Sequence, residues 1–113
     1  MHRQTVEARR KAHQDALQTE LARIRDALQQ LGASRVILFG SAARDEARWG
    51  SDLDLLVVME TDLNFVDRLA FLYRSLLPQV EVDILAYTPE EMDSLRESNP
   101  LIRRALEEGE VLL

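Results

Sequence analysis

Gly40-Ser41-Ala42-Ala43-Arg44-Asp45-Glu46-Ala47-Arg48-Trp49-Gly50-Ser51-Asp52-Leu53-Asp54-Leu55 is the stretch that decides how this chain folds. It follows a short apolar run, Val36-Ile37-Leu38-Phe39, and leads into a second, Leu53 to Met59, broken by Asp54. Both runs have the length of buried strands, and Gly40-Ser41 and Gly50-Ser51 are turn pairs. Side chains alternate along a strand, so Asp52 and Asp54 share a face, with alpha carbons roughly 7 Å apart. Two carboxylates that close repel, and a bound divalent cation removes the penalty. Oxygen ligands in a chain without cysteine indicate magnesium or manganese over zinc. A D-x-D pair alone is common on solvent-facing strand edges. Asp83 changes the reading. In Val82-Asp83-Ile84-Leu85 it lies on the next predicted strand, on the face opposite Val82 and Ile84, where it would complete a cluster of three carboxylates.

Gly40-Ser41 stands between a strand and a predicted short helix from Ser41 to about Arg48. Glycine lets backbone approach a ligand closely, and free amides at a helix start favour phosphate. An ordinary serine N-cap with a turn glycine has the same local sequence. A phosphate cradle about a dozen residues from a carboxylate cluster points to a nucleoside triphosphate with its metal.

The rest of the 113 residues makes one domain, with room for a core that needs no staples. A first helix is expected from about Val6 to Leu31, ended by Gly32, with Leu17, Leu21, Ile24, Leu28 and Leu31 in one apolar stripe. The stripe is expected to pack on its own domain; binding a second chain is the lesser alternative. The basic segment before Leu17 has no such stripe and is expected to fray. A helix from about Leu63 to Leu77 ends at Pro78, and a third strand runs from Val80 to Tyr87. Thr88-Pro89-Glu90-Glu91 is a capping box with proline at the first helical position. Asn99-Pro100 starts a last helix that Gly109 ends, leaving Val111-Leu112-Leu113 for a short strand. Alternating strands and helices predict a small sheet covered by helices.

Net charge is −6, divided as +3 over residues 1–25 and −9 over the remainder. An acidic body argues against a general grip on nucleic acid, which requires basic surface. It suits cations or a basic partner protein, and equally plain solubility. No apolar run approaches the roughly 20 residues of a membrane span, and the N-terminus lacks the apolar stretch of a secretory signal. A cytoplasmic location is expected. His2 and His13 are expected in solvent, Trp49 is expected to fill a local apolar pocket, and Tyr73 and Tyr87 have no distinguishing context.

The stretch resembles the minimal nucleotidyltransferases of the DNA polymerase beta superfamily. Their pattern is G-S-x-A-R-G-x-A-R-x-x-S-D-x-D-L, with a further aspartate in a later apolar strand. Gly40, Ser41, Ala43, Arg44, Ala47, Arg48, Ser51, Asp52, Asp54 and Leu55 match, Asp83 fits the later aspartate, and Asp45 departs from the pattern by replacing a glycine. The resemblance covers about residues 34 to 113. It implies an α/β (α+β) nucleotidyltransferase fold, a small mixed sheet of three to four strands flanked by about four to five helices. Residues 1–33 would form the N-terminal amphipathic helix and 34–113 the core of a single domain.

The resemblance also implies that Asp52, Asp54 and Asp83 are catalytic and hold two Mg2+ ions, with Mn2+ as the alternative. Gly40, Ser41, Arg44, Arg48 and Ser51 would contact ATP, although solvation or salt bridging is an equal reading for each arginine. Larger relatives carry acceptor-binding domains, for which there is no room here, so a second copy or another protein would supply that surface. In similar proteins the partner is a small HEPN-type ribonuclease toxin. The implied activity is transfer of AMP to a toxin tyrosine, by which the nucleotidyltransferase acts as antitoxin. Two alternatives remain open: an antitoxin that works by binding, and a transferase for small molecules such as aminoglycosides.

Overall fold

The computed structural model describes residues 5–40 and 52–113. Helix α1 spans Val6–Gln30, strand β1 Ala33–Phe39, β2 Leu53–Met59 and α2 Phe65–Leu76. Strand β3 spans Val82–Tyr87, α3 Pro89–Ser98, α4 Pro100–Glu108 and β4 Glu110–Val111. The fold class is α+β: one four-stranded mixed sheet in the order β3-β2-β1-β4, with four helices among the described residues. Strands β1 and β2 are antiparallel, β4 is antiparallel to β1, and β2 and β3 are parallel. A parallel pair requires a crossover, which α2 supplies.

The alternation within each strand assigns the two faces. Val36 and Leu38 of β1, Leu53, Leu55, Val57 and Met59 of β2, and Val82, Ile84 and Ala86 of β3 pack with α1 and α2. The intervening Ile37, Leu56 and Val58 pack with Met92 of α3 and with Ile102 and Ala105 of α4. Helices on both faces explain why β2 is apolar at almost every position. Asp54 is the exception on the second face, in line with Leu56 and Val58.

Helix α1 follows its stripe. Leu21, Ile24 and Leu28 are buried, with Leu17 and Leu31 packed at the margins, so the stripe serves its own domain. The segment before Leu17 is helical from Val6, with Thr5 as N-cap, and lies exposed. Glu20 is buried on α1, where the Arg23 guanidinium grips it at 2.7 and 2.8 Å and Gln79 N–H donates to it. Arg23 also donates to Leu76 O at 3.0 Å, tying α1 to the end of α2. These bonds, led by Arg23, hold the Glu20 carboxyl below its ordinary value, against the opposing effect of burial.

Local signals place most boundaries. Gly32 has φ of +100°, a left-handed turn that glycine adopts without cost. Helix α2 begins at N-cap Asn64 rather than at Leu63, because the asparagine side chain accepts from Asp67 N–H. The Thr88 capping box is complete, with Thr88 and Glu91 exchanging side-chain-to-backbone bonds. Strand β3 starts two residues later than expected, at Val82. Strand β4 lies at Glu110–Val111, and Leu112 and Leu113 continue the contact through backbone bonds to Val36. The predicted helix from Ser41 lies outside the described residues.

Candidate active site

Two strands place one carboxylate each at the same end of the sheet. Asp54 is the second residue of β2 and Asp83 the second of β3, and the parallel register sets them directly opposite one another. Asp83 is out of line with the buried Val82 and Ile84, so it shares the α3/α4 face of the sheet with Asp54. Met92, Ile102 and Ala105 cover that face further along, at Leu56 and Val58, and Asp83 is exposed. Neighbouring strands lie about 4.8 Å apart, so the two carboxylates form a side-by-side pair.

Gly40 closes the pair from the third strand. Phe39, the last residue of β1, is the register partner of Asp54, and the chain turns at Gly40 with φ of +75°. A Cβ on Gly40 would sit 2.5 Å from Asp54 Oδ2. Only glycine combines the left-handed turn with that close approach.

Asp52 stands just before β2. Its Oδ2 accepts from Glu81 N–H at 3.2 Å, and its Oδ1 lies 3.8 Å from His13 Nε2. His13 comes from the exposed half of α1, so that helix passes the mouth of the site. The histidine is solvent-exposed as expected, yet it faces a carboxylate across a sequence separation that helical periodicity does not reveal. Among the described residues no three His, Cys, Asp or Glu side chains converge closely enough to hold a metal ion. The donor set still fits a hard divalent ion such as Mg2+: carboxylate oxygens only, paired across two strands, beside a space that a Cβ would fill. Ser41, Arg44, Arg48 and Ser51, expected to contact nucleotide, lie outside the described residues, as do Asp45 and Trp49.

Tyr73 is the residue at this site that the sequence did not single out. From α2 its hydroxyl donates to Val82 O at 2.8 Å and accepts from Ile84 N–H at 3.0 Å, on either side of Asp83. Burial, and the nearby negative charge of Asp83, raise its pKa over the opposing bond from Ile84. A cleft of about 560 Å³ lined by Phe65, Tyr87, Glu90, Glu91, Ser94 and Leu95 lies at the opposite end of β3 and does not join the carboxylates.

Residues 21–112 match the family model described as a nucleotidyltransferase domain. The chain belongs to this family. The matched span takes in the buried half of α1, the whole sheet and both carboxylate strands, so the nucleotidyltransferase domain is an enzyme of nucleotidyl transfer. Its crystallographic neighbours include a protein from Sulfolobus solfataricus assigned as a nucleotidyltransferase, 22% identical, with a TM-score of 0.48 over 70% of this chain and 78% of the other. No curated relative matches the domain. Among the described residues no helix is long and apolar enough to cross a membrane.

Proposed function

We propose that this domain transfers AMP from ATP to a tyrosine hydroxyl of a partner protein, a HEPN-type ribonuclease toxin, and thereby acts as its antitoxin. The observation that carries the transfer chemistry is the register pairing of Asp54 with Asp83 beside Gly40. Asp52, Asp54 and Asp83 would hold Mg2+. When bound, the ions neutralise triphosphate charge and stabilise the leaving pyrophosphate. Gly40, by lacking a side chain, lets the phosphates approach the pair. Asp83, exposed at the rim, accepts the proton of the acceptor hydroxyl as its oxygen attacks the α-phosphorus. The bond between the α-phosphorus and the bridging oxygen breaks, and pyrophosphate departs. The resemblance assigns the remaining phosphate contacts to Ser41, Arg44, Arg48 and Ser51.

The protein acceptor rests on charge: the −9 carried beyond residue 25 favours a basic, RNA-cleaving partner. A second reading, neutralisation by binding alone, draws on Asp45, whose charge replaces the pattern's glycine. The test uses ATP labelled at the α-phosphate, Mg2+ and the candidate toxin, with the Asp52→Asn, Asp54→Asn variant as control. Label on a toxin tyrosine with the unsubstituted domain alone supports transfer. A tight, inhibitory, unlabelled complex supports binding, and a toxin that is neither labelled nor inhibited overturns the antitoxin role.

A further inference from the structure

Strand β3 is an edge strand, and Asp83 sits on it. An edge strand has hydrogen-bonding partners along one side only and is the least constrained part of a sheet. Leu53 N–H donates to Glu81 O at 3.1 Å, so alternate residues of β3 turn their backbone groups toward β2. Val82 O and Ile84 N–H point the other way, to the open edge. There the Tyr73 hydroxyl takes both, donating to the carbonyl and accepting from the amide. Further along the same edge Arg68 donates to Ala86 O at 2.9 Å, and Glu91 accepts from Thr88 N–H at 2.8 Å. The side chains of α2 and α3 thus stand in for a missing fifth strand, and the tyrosine's part of that work brackets Asp83.

We propose that Tyr73 is a positioning residue: its hydroxyl, by clamping the backbone on both sides of Asp83, sets that carboxylate in register with Asp54 for divalent-cation binding. The proposal rests on the nucleotidyltransferase reading of the carboxylate pair. A single phenolic oxygen can serve both bonds only as a neutral hydroxyl, donor and acceptor at once. Its ring, half-buried, packs against the main core, which holds the hydroxyl at the edge of β3. Phenylalanine would retain the ring and lose both bonds.

The experiment measures Mn2+ affinity by calorimetry, without nucleotide, for the unsubstituted protein, Tyr73→Phe, Asp83→Asn and Ile102→Val. Ile102 is a buried residue of α4 on the opposite face of the sheet from Tyr73, so its variant loses stability while the Tyr73 hydroxyl keeps both of its bonds. The expected result is a five- to tenfold weaker Mn2+ affinity in Tyr73→Phe, a larger loss in Asp83→Asn and none in Ile102→Val. Faster amide exchange at Ile84 should accompany the loss in Tyr73→Phe. With ATP present, kcat should fall in Tyr73→Phe while KM stays within twofold. Tyr73→Phe that binds Mn2+ as tightly as the unsubstituted protein overturns the role of Tyr73 alone. If the unsubstituted protein takes up no Mn2+, the metal-dependent reading of the site falls together with the proposal.

Discussion

Gly40 lies so close to Asp54 that a methyl group on its alpha carbon would come within 2.5 Å of the carboxylate. The relationship joins the end of β1 to the start of β2 at the point where the site is built. It makes Gly40→Ala doubly unfavourable. The left-handed φ of +75° costs an L-residue about 1–2 kcal/mol, and the new Cβ must displace Asp54 from its place beside Asp83. Thermal unfolding of Gly40→Ala should show a loss of that order. Transfer activity, measured as kcat/KM for ATP, should fall at least tenfold, and a variant as active as the unsubstituted protein would remove Gly40 from the site.

Charge, rather than shape, is what Asp54 and Asp83 contribute. Asn at either position is nearly isosteric and removes a charge that, in the proposed function, would face the cation. Asp54→Asn and Asp83→Asn should each lower kcat by about 10²–10³-fold, the scale on which losing one electrostatic contact acts in a transition state. Far-UV circular dichroism should be unchanged. Chelation of divalent ions with EDTA should abolish transfer in the unsubstituted protein, and excess Mg2+ should restore it.

Acid should weaken the fold through Glu20 and Glu91. Arg23 holds the Glu20 carboxyl below its ordinary value of 4.5, and Arg68, helped by Thr88, does the same for Glu91. A depressed folded-state pKa stabilises the native state fully above the unfolded value and loses that contribution as pH falls through the folded one. The loss therefore develops below about pH 4.5. Urea unfolding should show that the stability gap between the unsubstituted protein and Glu20→Gln is wide at neutral pH and narrows near pH 3. A gap that is constant with pH would contradict the ion-pair account.

Arg68 is a buried cation whose removal strands its partners. It is 3% exposed and donates to Ala86 O, Leu63 O and Glu91, joining the start of α2 to β3 and α3. Its Nε is the one buried side-chain polar atom without a partner among the described residues. Arg68→Met keeps much of the bulk and loses every bond. It should cost about 3 kcal/mol, the usual range for breaking a buried pair from one side. Glu91→Gln should cost less, because Glu91 is 43% exposed and water screens the change.

The local layout was legible before the fold was seen, because its determinants are local. Gly32 after the leucine stripe, Thr88-Pro89-Glu90-Glu91 and Asn99-Pro100 each carry a turn or cap within four residues, so the helix ends there follow from neighbouring side chains alone. The two-residue alternation in Val82-Asp83-Ile84 was enough to set Asp83 apart from its apolar neighbours. The start of α2 was misjudged by two residues, since Leu63 looks like a helix residue until Asn64 is seen capping Asp67 N–H.

Short-range pattern in the sequence carries the helices and strands of the described residues, the nucleotidyltransferase family and the choice of acidic residues. The tertiary structure alone decided which of those residues meet. Asp54 and Asp83 are partners because β2 and β3 pair in parallel in one register, a relation set by packing across α2. Tyr73, nine residues before Val82, and His13, from the first helix, reach the site through the packing of helices on the sheet, so no local period marks them. Asp52, one step before β2, is held by Glu81 N–H, a backbone group that only chain crossing brings near. Long-range register and edge contacts depend on how whole faces bury against each other, and a one-dimensional pattern does not contain that information.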